Sequence, residues 1–296
     1  MLCSTPISRK AAMEENPEGW RVSILSEFNS LKENEVYDSM DKSQLTQEQK
    51  QNIIPIRLLL NIKEDGRLKT RAVALGNRLS DPDTSCYSPV PRLPNLRAML
   101  KIAVRHRLFM RQFDIKTAFL YAQLEEWDAP IFCAPPVEWR THKNEIWKLK
   151  KALYGLKNAP FLFYRTLAKA LTSSGWTQSK EEPCLFFQGK VMVLIYVDDL
   201  MFFGPSSKEI ETVAPSVLSQ FETKEVMPER DSENWEVFTF LGLKIRRKGR
   251  NMRISQENLV DKVLLEFPTS AKARADTPIT SAEIERFRKQ ARGKRW

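Results

Sequence analysis

VMVLIYVDDLMFFG, residues 191–204, is the stretch on which the fold turns. Apolar residues run unbroken on both sides of two acids, and each run is too short for a helix but right for a buried strand. The reading is a hairpin of two buried strands with Asp198 and Asp199 between them. Acids are tolerated at hairpin tips, although glycine is the favoured partner because the tightest turns need positive φ. Two carboxylates held near 4 Å repel by about 4 kcal/mol at an effective dielectric near 20. Beside so much apolar surface, one of them takes up a proton unless a cation neutralises it. A bound divalent metal is one explanation of the pair. A solvent-facing turn whose acids keep an apolar hairpin soluble is the other.

Outward from the hairpin, FMRQFDI (109–115) alternates like a strand and carries Asp114 near its end. Pro160 starts a helix that runs to about Ser174 and stops at Gly175. After the hairpin, Ser206-x-x-Glu209 reads as a capping box opening a helix that Pro215 should kink or shorten. FTFLGLKI (238–245) reads as a further strand. From Met110 the order is strand, helix, strand, strand, helix, strand, which is the split βαβ arrangement of a four-stranded antiparallel sheet backed by two helices. In that topology the first strand lies beside the hairpin, so Asp114 reaches its tip. Alone, Asp114 reads as a strand-end or helix-capping residue. Together the three carboxylates suit a two-Mg²⁺ site for phosphoryl or nucleotidyl transfer.

The remaining chain supplies the surroundings. Residues 1–50 are polar, with an amphipathic helix from Trp20 to Leu31 and a mobile connection expected from Ser39 to Gln51. IIPIRLLLNI (53–62) and RLKTRAVAL (67–75) read as two strands joined by a turn at Asp65-Gly66. A proline-rich loop leads to an amphipathic helix over 94–107, and SQENLVDKVLLEF (255–267) forms a last one.

Composition bounds the chemistry. The 296 residues carry 47 Lys+Arg against 37 Asp+Glu, a formal net charge of +10, which ranks nucleic acid first among partners. Six basic residues, Arg286, Arg288, Lys289, Arg292, Lys294 and Arg295, cluster near the end as a solvated tail or a weak nucleic-acid or nuclear-import patch. Cys3, Cys86, Cys133 and Cys184 form no CxxC pair, and His106 and His142 are the only histidines, so a zinc site is not expected and metal chemistry falls to oxygen ligands and hard cations. No apolar run approaches the roughly 20 residues of a spanning helix. The expectation is a soluble intracellular protein without membrane contact.

FDIKTAFL (113–120), LYGLKNAP (153–160), YVDDL (196–200) and FLGLKI (240–245), in this order, resemble the reverse transcriptase of copia-type retrotransposon Pol polyproteins. KTRAVALGN and CYSPV upstream, and ISQENLVDKVLLEF with Thr277-Pro278 downstream, extend the resemblance over roughly residues 18–279. It implies an α+β, right-hand polymerase: an N-terminal extension and linker (1–52), fingers (53–109), a split βαβ, ferredoxin-like palm with the catalytic aspartates and a primer-grip hairpin (110–254), and a truncated thumb or connector with the basic tail (255–296).

The resemblance further implies that Asp114, Asp198 and Asp199 are catalytic and bind two Mg²⁺ ions, with Mn²⁺ as a substitute. The implied reaction is template-directed addition of a deoxynucleotide to a primer 3′-OH, on an RNA or DNA template. For the incoming nucleotide it implies Lys69 and Arg71 on the triphosphate, Thr117 and Ala118 facing the phosphates through their amides, Phe119 against a ribose 2′-OH, and Gly155 and Pro160 in the pocket wall. Lys224 is the implied proton donor to pyrophosphate, and Leu241 and Gly242 the centre of the primer grip. A second copy or other polyprotein domains are further implied partners, in a cytoplasmic particle or the nucleus. Tyr121-Ala122 stand where the family usually has Asn-Gly, and Asn158 and Phe161 where it has Gln and Arg; neither departure removes a metal ligand. The competing expectation is an inactive nucleic-acid-binding remnant, or a host-derived protein, of the same fold.

Overall fold

Tyr196 pairs with Asp199 to close the central hairpin, so its two-residue turn is Val197-Asp198. Both acids were expected between the strands; instead Asp199 is the first residue of the second strand, because a two-residue loop leaves only one acid unpaired. The computed structural model describes residues 6–63, 66–79, 87–124 and 130–267. Cys3, Asp65, Cys86, Thr277-Pro278 and the basic cluster of residues 286–295 lie outside them.

The elements run β1 (Pro6–Ile7), α1 (Arg9–Glu15), α2 (Pro17–Glu33), β2 (Tyr37–Asp41), α3 (Gln47–Gln51), β3 (Ile54–Ile62), β4 (Leu68–Ala74) and α4 (Leu93–Arg105). Then come β5 (Phe109–Ile115), β6 (Phe132–Ala134), β7 (Glu145–Leu149), α5 (Ala159–Ser173), β8 (Thr177–Gln178), β9 (Leu185–Gln188), β10 (Val191–Tyr196) and β11 (Asp199–Gly204). The last are α6 (Ser207–Val213), α7 (Pro215–Leu218), β12 (Thr223–Val226), β13 (Glu229–Arg230), β14 (Glu236–Phe240), β15 (Leu243–Lys248), β16 (Asn251–Ser255) and α8 (Glu257–Glu266).

The sheet that carries the aspartates has the order β12-β5-β11-β10-β9-β8. Its first four strands are the split βαβ set, each antiparallel to its neighbour, and β9 and β8 extend the edge beyond the four strands expected. The fourth strand of the motif is FETKEV rather than FTFLGLKI. The latter splits at Leu241-Gly242 into β14 and β15 of a separate sheet, β13-β14-β15-β16, because both residues take positive φ and turn the chain back on itself. Leu194, Ile195, Leu200, Met201, Phe202 and Phe203 are all 2% exposed or less, so the hairpin is buried on both faces, which explains unbroken apolar runs in place of alternation. Helix α5 buries Phe163, Leu167 and Leu171, and Pro215 ends α6 and opens α7 as its ring requires. Ser206 Oγ accepts from the Glu209 N–H at 3.1 Å, the N-cap half of the expected capping box.

The other six-stranded sheet runs β1-β3-β6-β7-β2, with β4 paired to β3. Its strands come from residues 6–74 and 132–149, so it follows no single segment of the sequence. Ser39–Gln51, expected as a mobile connection, is instead built into it. β2 pairs with β7, and two reciprocal capping boxes, Asp41 with Gln44 and Thr46 with Gln49, hold the turns that follow. That polar stretch is ordered by backbone pairing to a strand a hundred residues away, which no local pattern records. The chain divides into two units, Met1–Ile254 and Ser255–Trp296. In the second, α8 exposes Leu259, Val260, Val263, Leu264 and Leu265. Among the described residues no helix is long and apolar enough to cross a membrane.

Candidate active site

Asp114 on β5 lies directly opposite Asp199 on β11 and, across its other edge, opposite Lys224 on β12. Residues opposed in antiparallel strands point to the same face, so register alone brings the two carboxylates together. Asp198 occupies the adjoining turn, tied down where its carbonyl accepts from the Ile115 N–H at 2.8 Å. The turn is strained. Val197 has φ +52° and Thr117, just beyond β5, has φ +50°. They are the two β-branched residues at positive φ among the described residues; Val197 directly precedes Asp198, and Thr117 lies three residues after Asp114.

Burial raises the proton affinity of all three acids, and repulsion from neighbouring aspartates adds to it at Asp198 and Asp199. Asp199 is pushed up to about 6 by burial, then by the charges of Asp198 and Asp114, against a 3.4 Å hydrogen bond from Gln112 Nε2. Asp198 is raised by burial and then by Asp114, with Arg71 opposing. Asp114 is raised by burial, with Lys63, Lys224 and Lys116 opposing. Three neighbouring half-buried carboxylates, each raised by burial, form an all-oxygen donor set suited to a hard divalent cation. Among the described residues no three carboxylate, imidazole or thiol groups already converge around one ion.

The two basic residues grouped on β4 part company. Lys69 Nζ lies 3.8 Å from Glu27 Oε2 on α2. Arg71 stacks 5.8 Å above the Tyr154 ring, and its charge lowers the proton affinity of Asp198. Tyr154 is pushed up to about 12 by burial and then by the charge of Asp198. It also meets the Phe119 ring edge-on at 4.8 Å, and Phe119 in turn contacts Phe163 at 6.3 Å. Thr117 and Ala118 lead into the short 3₁₀ turn Ala118–Tyr121 that carries Phe119. Gly155 has φ +89°, and a Cβ there would lie 2.1 Å from the Ala74 carbonyl oxygen; a Cβ on Gly76 would lie 2.5 Å from the Gly155 carbonyl oxygen. The two segments therefore touch backbone to backbone. Pro160 starts α5, and its carbonyl accepts from Ser88 Oγ at 3.2 Å.

Lys224 is exposed beside Asp114. Leu241 and Gly242, at φ +54° and +70°, form the tip of the β14–β15 hairpin. That hairpin is anchored to the aspartate sheet where Gln112 Nε2 donates to the Thr239 carbonyl at 3.0 Å. Gln112, Tyr154 and Glu27 were not singled out from the sequence. The first two could have been suspected, since Gln112 shares a strand face with Asp114 and Tyr154 precedes Gly155; Glu27 gave no local signal. Tyr121, in the first departure from the family pattern, has a structural use: its hydroxyl accepts from the Glu222 N–H at 2.7 Å.

A family model described as reverse transcriptase (RNA-dependent DNA polymerase) matches residues 34–281. The retrovirus-related Pol polyprotein of transposon TNT 1-94 from Nicotiana tabacum is 29% identical over 237 residues, 75% of this chain and 17% of the relative. The Gag-Pol polyprotein of transposon Ty1-LR2 from Saccharomyces cerevisiae is 28% identical over 255 residues, 84% of this chain and 14% of the relative. The chain thus spans about a sixth of the length of these curated relatives. Among solved structures, a foamy viral protease-reverse transcriptase in complex with double-stranded DNA aligns with 90% of this chain and 38% of its own, at 15% identity and TM-score 0.42. With the family model covering most of its length, the chain belongs to the reverse transcriptase (RNA-dependent DNA polymerase) family.

Proposed function

We propose that this chain is the RNA-directed DNA polymerase domain of a retrotransposon Pol polyprotein, adding deoxynucleotides to a primer 3′-OH on an RNA or DNA template. The observation that carries the reading is the register of Asp199 against Asp114, with Asp198 in the adjoining strained turn. On this reading the aspartate sheet is the palm, the sheet of β3 and β4 belongs to the fingers, and the segment from Ser255 begins the thumb.

Asp114, Asp198 and Asp199 would hold two Mg²⁺ ions, which when bound make the primer hydroxyl a better nucleophile and neutralise the triphosphate. The protein's own groups do the rest. Arg71, held against Tyr154, offers a guanidinium to the triphosphate. The amides at Thr117 and Ala118 face the phosphates, and Phe119, braced by Tyr154 and Phe163, blocks a ribose 2′-OH. Gly155 and Pro160 wall the nucleotide pocket. Lys224 stands beside Asp114, where an ammonium can protonate departing pyrophosphate. The Leu241-Gly242 hairpin seats the primer end.

Primer extension on a poly(rA) template with Mg²⁺ or Mn²⁺ tests the reading. Incorporation is expected, and Asp198→Ala abolishes it while leaving the circular-dichroism melt cooperative. No incorporation by the intact chain with either metal refutes the polymerase reading. Nucleic-acid binding that falls steeply with salt and ignores all three aspartates would instead identify a non-catalytic binding module.

A further inference from the structure

We propose that Glu27, on helix α2, is a positioning residue which, paired with Lys69, sets the arm that carries Arg71 against the Asp198 turn. The proposal rests on the reading of Arg71 as a triphosphate ligand.

Strand β4 pairs with β3 along one edge, and the N–H groups of its other edge need partners from elsewhere. They find them in order: the Thr70 N–H donates to Ser23 Oγ at 3.0 Å, the Ala72 N–H to Glu27 Oε1 at 2.9 Å, and the Ala74 N–H to the Tyr154 carbonyl at 2.8 Å. Four residues of helix rise about 6 Å and two residues of strand about 6.6 Å, so Ser23 and Glu27 meet alternate donors of β4 when α2 lies along it. α2 therefore acts as a splint on the arm.

A neutral acceptor would serve at position 27 as well as it does at Ser23. Glu27 is instead a carboxylate with 7% exposure, and burial raises its proton affinity. Its charge is supported by the Ala72 N–H, then by Lys69 and Arg71. Lys69 is drawn back to 3.8 Å from Glu27, whereas Arg71, two residues on, projects to Tyr154 and into the field of Asp198. The two cations thus divide the work: Lys69 balances the buried carboxylate, and Arg71 faces the aspartates.

The test is a double-variant cycle in the full chain. Glu27→Gln keeps the size of the side chain and an acceptor for the Ala72 N–H while removing the charge. The expected result is a rise in KM for dNTP of about fivefold, with kcat changed less than about twofold, a size typical of coupling through a packed network. Lys69→Gln alone gives a similar rise, and the double variant is no worse than either single, since neither charge is then left unbalanced. Additive effects of the two substitutions would make Lys69 a direct triphosphate ligand and overturn the proposal, as would an unchanged KM in Glu27→Gln. Amide hydrogen exchange over Thr70–Ala74 reads the same device without polymerase activity: faster exchange in Glu27→Gln, returning toward wild type in the double variant, is expected. Unchanged exchange overturns the proposal whether or not the chain extends primers. Faster exchange with unchanged KM in an active chain leaves Glu27 purely structural and overturns it equally.

Discussion

Gly155→Ala adds one methyl group where β4 and the segment before α5 touch. The new Cβ would lie 2.1 Å from the Ala74 carbonyl oxygen and 2.5 Å from Val73 Cγ1, against an ordinary contact of 3.4 Å or more. The neighbour at 2.1 Å is backbone, so relief requires the strand itself to move by about 1 Å, at a cost of about 1–3 kcal/mol for overpacking. Alanine at φ +89° adds about 1–2 kcal/mol of left-handed strain. Moving β4 also stretches the 2.8 Å bond from the Ala74 N–H to the Tyr154 carbonyl, worth about 1 kcal/mol net. The expected loss is about 3–6 kcal/mol, and at about 2–4 °C per kcal/mol for a unit of this size the melting temperature falls by about 6–24 °C. Gly189→Ala is the control: φ is +59° there, but nothing lies within 4 Å of the added Cβ, so only the conformational cost of about 1–2 kcal/mol applies. Calorimetry or denaturant titration of both variants decides it. Equal losses at the two positions would refute the close backbone contact. Because Arg71 rides on the displaced strand, Gly155→Ala is also expected to raise KM for dNTP in whatever fraction stays folded.

In chelating buffer at pH 8, Asp199→Asn is expected to raise the melting temperature, equivalent to about 1–2 kcal/mol, because it removes one of three half-buried like charges; with Mg²⁺ supplied, the same variant is expected to abolish primer extension. A fall in thermal stability would show that the aspartates do not repel one another in the folded state. Glu145 is 3% exposed and accepts from Ser39 Oγ, the Thr141 N–H and hydroxyl, and Trp147 Nε1. Burial raises its proton affinity, but these bonds outweigh it and bring the carboxyl down to about 2. Its folded pKa thus lies below the unfolded 4.5, so it contributes about 3 kcal/mol fully above pH 4.5, lost as the pH falls toward 2. Urea titrations from pH 5 to 2 should show that slope in the wild type and lose it in Glu145→Gln; parallel curves would remove Glu145 from the acid response. Tyr121→Phe leaves the Glu222 N–H without its acceptor and is expected to cost about 1 kcal/mol, measured by denaturant midpoint, with a neutral result marking that bond as dispensable.

Local pattern carried much of the architecture. Unbroken apolar runs around two acids specified a buried hairpin, period-3.6 spacing specified the helix Leu93–Arg105, and Pro160 and Gly175 marked the ends of another, since each signal is a property of neighbouring residues. The expected split βαβ order of strands and helices placed Asp114 near the hairpin before any register was known. Only tertiary structure decided which residues act together. The fourth strand of the split βαβ motif proved to be FETKEV because pairing to β5, not apolarity, selects it: Thr223–Val226 is a polar, partly exposed edge that period alone does not announce. Ser39–Gln51 is ordered by pairing to Glu145–Leu149, and Lys69 and Arg71, alike in sequence, are sent to different partners by a carboxylate on a helix more than forty residues upstream. Sequence by itself determined the elements and the chemical character of the aspartates, because propensity, periodicity and charge are local. Register, the partners of the basic arm and the placement of Glu27, Gln112 and Tyr154 were decided by the tertiary structure, because they depend on contacts between segments that only the folded chain brings within hydrogen-bonding distance.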